Sequence, residues 1–267
     1  WVLINGGNPR EIGAAIKLLQ EALAIAPKHL QARELLGAIL KTEAGILRDM
    51  AKRDPARADQ AQAKLAEART LLETLVKDDP KRPVAWRTLG LMAMQDRRFD
   101  DAQKAFQELQ LLRPLEDTSY QNLAGIYLIR KDIPAAISQL MELQQHEQHD
   151  ERIPRKLAEL LRQQATGKGE AGDWREAESM AYKAVRINPY NAINHDLLAA
   201  ILLAEKQPAR AVEYYRHATE LQPKIAQYWE GLAEALGQSG DAAGAAEAAK
   251  KAVELSPGSA ATKWLKP

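Results

Sequence analysis

The stretch Pro83–Glu116, PVAWRTLGLMAMQDRRFDDAQKAFQELQLLRPLE, holds two apolar rows separated by a polar knot. Leu89, Met92 and Ala93 recur at helical spacing; Asp96-Arg97-Arg98-Phe99-Asp100 interrupts them; Ala102, Ala105, Phe106 and Leu109 resume it. The stretch therefore reads as helix, turn, helix, closed by Pro114, which cannot continue a helix. Thirty-four residues separate Pro80 from Pro114, and the same interval separates Pro189, Pro223 and Pro257. Counting back twelve residues from each proline lands on Ala68, Ala102, Ala177, Ala211 and Ala245. The same step from Pro27 gives Ala15, and from Gln148, which stands where a proline is expected, Ala136. A second column holds Leu36, Leu89, Leu123, Leu157, Leu198 and Leu232, each followed by a small residue: Gly37, Gly90, Ala124, Ala158, Ala199, Ala233. Small side chains let antiparallel helices approach closely, and a single hairpin of this kind cannot bury its apolar face without its neighbour. The fold class is all-α, a tandem array of hairpins.

This pattern resembles the tetratricopeptide repeat family. Trp86, Leu89, Gly90, Ala102, Phe106 and Pro114 stand at its signature positions, whereas Ala93 replaces the usual tyrosine and Leu109 the usual alanine. The resemblance covers nearly the whole chain and implies a right-handed α-solenoid with units of about 1–29, 30–82, 83–116, 117–150, 151–191, 192–225 and 226–259. Unit 30–82 carries nineteen extra residues and unit 151–191 seven. Helical spacing persists through Leu36, Ile39, Leu40, Leu47 and Met50 and again through Ala61, Leu65, Ala68 and Leu72, with Asp54-Pro55 as a turn. That predicts two lengthened helices forming a spur around 41–67, a solvated element or a contact site for a partner. Asp100 and Asp132 are expected to cap second helices, and Asn8-Pro9-Arg10-Glu11 to open one. Trp1-Val2-Leu3-Ile4 reads as the tail of a first helix, which predicts sequence upstream of it. Ala260–Leu265 reads as a capping segment within 260–267.

Composition narrows function. The 267 residues are 46% hydrophobic and 27% charged with a formal net charge of +1, so no general excess of charge points to nucleic acid or to an anionic membrane. With no cysteine, disulfides and thiolate metal sites are excluded and the compartment, cytoplasmic or periplasmic, is open. The longest apolar runs, such as Leu197–Ala204, are far too short to span a bilayer.

Motifs with catalytic or cofactor overtones reduce to structure. Gly167-Lys168-Gly169-Glu170-Ala171-Gly172 matches G-x-G-x-x-G, yet helical patterns flank it on both sides and no strand precedes it. It reads as a slack inter-helix connection. His146-Glu147-Gln148-His149 is one residue short of the zinc-protease H-E-x-x-H spacing and reads as a solvated helix end. His29, His195 and His217 stand alone, with packing or surface roles. Asp78-Asp79 and Asp100-Asp101 sit where capping explains them. No catalytic residue, metal site or cofactor is assigned.

The resemblance implies a ligand face on the first helices: Val84, Arg87, Leu91 and Met94; Thr118, Gln121, Asn122, Leu128 and Ile129; Arg152, Arg155, Lys156, Glu159 and Arg162. Family co-chaperones hold a terminal carboxylate with lysine, asparagine, asparagine, lysine and arginine; the matching offsets here carry Arg87, Leu91, Asn122, Arg152 and Lys156. Four of the five can serve a carboxylate, and Leu91 cannot. The expected function is a non-catalytic scaffold or adaptor that binds a protein or peptide partner, acidic in character, near residues 84–162. The alternatives are an accessory domain whose catalytic or cofactor-binding part lies upstream, and a structural subunit of a larger assembly. The sequence leaves the oligomeric state open.

Overall fold

The computed structural model describes residues 9–167 and 174–265. The Trp1–Ile4 segment, the Asn8 cap and most of the glycine cluster lie outside the described residues. The chain divides into two compact units, Trp1–Arg130 and Lys131–Pro267. The first holds α1 (Pro9–Ile25), α2 (Leu30–Ala51), α3 (Arg57–Asp78), α4 (Pro83–Gln95), α5 (Phe99–Leu112) and α6 (Asp117–Ile129). The second holds α7 (Ile133–His146), α8 (Arg152–Gly167), α9 (Arg175–Ile187), α10 (Ala192–Ala204), α11 (Pro208–Leu221), α12 (Ala226–Gln238) and α13 (Ala242–Leu255), then a 3-10 helix, Ala260–Leu265. There is no strand among the described residues. Consecutive helices pack as pairs: α2 on α3 and α4 on α5 in the first unit, α8 on α9, α10 on α11 and α12 on α13 in the second.

The columns of small residues explain the close packing. Ala68, Ala102, Ala136, Ala177, Ala211 and Ala245 are all 0% exposed, and Ala15 is partly buried. Gly37 and Gly90 show why the position after the leucine must be small. A Cβ at Gly37 would lie 2.5 Å from the Leu72 side chain, and one at Gly90 would lie 2.9 Å from the Phe106 ring. Those contacts cross from the first helix of a pair to the second, so ring and glycine together set the helix separation.

Ring side chains tie four of the first helices, α4, α6, α10 and α12, to the chain before them. Trp86 Nε1 donates to the Pro80 carbonyl (2.7 Å), the Tyr120 hydroxyl to Pro114 (2.8 Å) and Trp229 Nε1 to Pro223 (2.8 Å). His195 Nε2 does the same to Pro189 (2.8 Å), which fixes its proton on that nitrogen. Each partner carbonyl lies six residues earlier, on the closing proline of the previous hairpin, beyond the helix ladder. The ring thus satisfies a carbonyl that helical hydrogen bonding leaves open. His195 is therefore a structural histidine.

Caps follow the expectation at one place and depart from it at another. Asp132 accepts from the Ala135 N–H (3.1 Å) at the start of α7. Asp100 is not a cap: Arg98 occupies that position and Asp100 lies inside the first turn of α5. The reason is the turn before it. The Arg98 N–H returns to the Ala93 carbonyl (2.8 Å), which ends α4 and starts α5 immediately. Asp100 and Asp101 then place negative charge at the positive end of the helix dipole, and Asp100 pairs with Arg130.

The α2–α3 pair is the long one, 22 residues in each helix. Between Ala44 and Ala61 no residue is buried. Lys64 bridges the two helices to Glu43 at 3.2 Å. The turn is closed by Arg57 on Asp54 at 3.2 Å.

Candidate functional site

The leucine column gives a common register. Positions five and two residues before each leucine, and two and five after it, lie on the side of the first helix turned away from its partner. Arg87, Leu91 and Met94 occupy three of them on α4; Thr118 and Leu128 lie on α6; Arg152, Arg155, Glu159 and Arg162 lie on α8. None of these is buried, nor is Asn122 or Lys156.

Their chemistry is already committed within the chain. The Arg87 guanidinium makes a two-pronged contact with Glu116 (2.6 and 2.7 Å). Asn122 donates its amide to the Thr118 carbonyl one turn back (2.7 Å). Leu91 packs with Met94 against the cluster of Ala93, Phe106, Leu123 and Ile126. In the second unit Arg152 forks onto Asp150 (2.6–2.9 Å), which holds the Asp150 carboxyl below its usual range. Arg155 lies 3.7 Å from Glu151 and Lys156 3.1 Å from Glu159. Arg87, Leu91, Asn122 and Leu128 belong to the first unit, and Arg152, Arg155 and Lys156 to the second. Arg87, Arg152, Arg155 and Lys156 of the expected acidic-peptide site thus each have a carboxylate beside them. His146, the last residue of α7, and His149 flank Glu147, whose carboxylate accepts the His149 N–H (3.3 Å). No group of three His, Cys, Asp or Glu able to hold a metal occurs among the described residues.

The same register continued along the second unit reaches a groove that shares only Glu159 and Arg162 with the expected ligand face. It has a volume of about 480 Å³ and runs over α8, α10 and α12, closed at one end by the 3-10 helix. Ile193, Leu197, Ala200 and Leu203 give it an apolar wall, and Glu159, Asp196, Glu230 and Glu234 give it carboxylates. Its floor is the Tyr215 ring of α11, 5% exposed. That ring reaches the floor because residue 231 is glycine: a Cβ there would lie 2.2 Å from the ring. At the end of the groove Trp264 covers Gly237 in the same way, and its indole N–H reaches Glu234 (3.3 Å).

Asp196 is the unusual group. Burial pushes its carboxyl up to about 6, opposed by Arg162; Gln227 donates to it at 3.3 Å. The same burial, with the Asp196 charge nearby, raises the Tyr215 and Tyr228 phenols. Asp196 and Glu230 hold the column of Arg87 and Arg155, two residues before the leucine. Following that column to the end of the chain finds both carboxylates.

Comparison with known proteins fits this architecture. A family model described as tetratricopeptide repeat matches residues 54–102, 88–148 and 197–260, more than half of the chain. The chain belongs to the tetratricopeptide repeat family. Among solved structures it is similar to YrrB, described as a TPR protein with an unusual peptide-binding site. Identity there is 13%, over 72% of this chain and 95% of that one, with a TM-score of 0.60. It is also similar to MamA (16% identity, 66% and 92% covered, TM-score 0.57). MamA from Desulfovibrio magneticus RS-1 compares likewise (15%, 66% and 95%, 0.55). At these identities the likeness shows the fold. A search of curated proteins by sequence gave no match. No helix among the described residues is long and apolar enough to cross a membrane.

Proposed function

We propose that the chain is a non-catalytic scaffold or adaptor that holds an extended segment of a protein partner on its first-helix face. A protein-interaction role in general follows from the family; the docking face is our reading. One observation carries it: four register columns of solvent-accessible side chains converge on a preformed groove of about 480 Å³ over α8, α10 and α12. A core face would be filled by its neighbours, whereas this one is left open over a floor built by Tyr215 and Gly231. Peptide binding by YrrB is a precedent for the fold.

The acidic-partner reading asks more of the structure. Arg87 would have to leave Glu116, and Arg152 would have to leave Asp150, before either could take a new carboxylate. Desolvating a pair to remake it elsewhere returns little.

The test uses the intact chain as bait in extract of its native source. Ala200→Arg fills the groove and is expected to lose the bound partner, while Glu247→Lys on α13 retains it. Arg87→Glu and Arg152→Glu are expected to bind as the parent does, and loss of the partner in either would restore the acidic-segment reading. Identical partners for the parent and Ala200→Arg would remove the groove from the account.

A further inference from the structure

We propose that the groove of the second unit seats an arginine or lysine side chain of the partner segment, held between Asp196 and Glu230. The inference rests on the reading that partners dock on this face, and it adds the polarity of what they present.

The argument is charge matching inside a built cavity. Four carboxylates and two cations line the groove: Glu159, Asp196, Glu230 and Glu234 against Arg162 and Lys263. Two of the carboxylates are answered. Glu159 has Lys156 at 3.1 Å, and Glu234 has Lys263 and the Trp264 indole. The remaining pair is not. Asp196 receives one weak hydrogen bond from Gln227. Glu230 makes no hydrogen bond or ion pair among the described residues. Arg162, which favours the ionised form of Asp196, is the one cation of the lining left to them, since Lys263 is taken by Glu234. A guanidinium or ammonium entering here completes the balance and makes charge-assisted hydrogen bonds, while its aliphatic stem lies along Ile193, Leu197 and Leu203. An acidic side chain would meet two carboxylates that share one cation, Arg162.

The titration of Asp196 adds a second handle. Arg162 on α8, Gln227 and Tyr228 on α12 and Tyr215 on α11 interact with it, and Glu159, Glu230, Glu234 and Lys263 share the groove lining with it. Arg162 is the neighbouring charge that favours its ionised form, and it leaves the group near 6. A bound cation favours the carboxylate, so binding weakens as the pH falls through that value.

A displayed library of random nonapeptides, selected on the intact chain at pH 7.5, tests this directly. Selected peptides are expected to carry lysine or arginine at one position. The best of them, synthesised with a fluorescein label, is expected to lose affinity about tenfold on Asp196→Asn and on Glu230→Gln, the scale of a lost charge-assisted contact. Its affinity for the parent is expected to fall about fivefold or more between pH 7.5 and 5 as the carboxylate takes up its proton. Peptides rich in aspartate or glutamate, or binding indifferent to both substitutions, would overturn the inference. Neutral apolar peptides displaced by Ala200→Arg would overturn it while leaving the groove itself in place. Failure to select any peptide would overturn both.

Discussion

Arg97, Lys131 and Lys206 have left-handed backbone, with φ of 57°, 61° and 61°, at the register position where Gly240 stands with φ of 92°. The hydrogen bonds explain the requirement. Lys206 N–H returns to Leu203 and Gln207 N–H to Leu202, a helix-ending pattern repeated at Arg97-Arg98 and at Gly240-Asp241. Three long side chains therefore occupy a site that suits glycine. Lys206→Gly is expected to stabilise the chain by about 0.5–1 kcal/mol, the relief of αL strain exceeding the added unfolded-state entropy. Scanning calorimetry reads it as a higher Tm, and a lower Tm would refute the strain argument. Asp196 is strained electrostatically instead. Folding raises its carboxyl from 3.8 to about 6, so between those values the unfolded chain ionises while the folded chain stays protonated. Stability falls as the pH rises through that window. Asp196→Asn is thus expected to stabilise by about 1–3 kcal/mol above pH 6 and by nothing below pH 4. Urea titrations at pH 7.5 and 3.5 check both halves; a pH-independent difference would contradict the assignment.

The helix pair is the element that the sequence spells out. A column of seven alanines is legible because a close helix contact admits no larger side chain, and the structure leaves six of them with no exposure. Ala136→Phe on α7 is accordingly expected to cost about 1–3 kcal/mol through overpacking. A denaturant midpoint equal to the parent's would show that the column does not set the helix separation. The ring-to-proline links were less legible. Trp86 stood out as a signature residue, but tryptophan, tyrosine and histidine share no obvious class until the carbonyl six residues back shows that each serves as a hydrogen donor. The left-handed residue at the turn was not legible at all, since arginine and lysine give no backbone signal. Asp100 misled because aspartate suits both the cap and the first turn that follows it.

At the scale of the whole chain, the repeat announced the family but left its binding chemistry open. Basic residues on α4 and α8 stand at the offsets of a known clamp, yet their partners Glu116, Asp150, Glu151 and Glu159 come from turns and neighbouring turns of helix that a column reading passes over. The groove over α8, α10 and α12 needed two further facts: the Tyr215 ring rising beside Gly231, and the burial that leaves Asp196 poorly neutralised. Neither is visible in one dimension. The central claim is that partners bind the first-helix face of the second unit. Hydrogen–deuterium exchange of the intact chain, with and without its captured partner segment, tests it most directly. The account predicts protection concentrated in peptides from α8, α10 and α12. Protection confined to α9, α11 and α13, or to the tip of the α2–α3 pair, would contradict it.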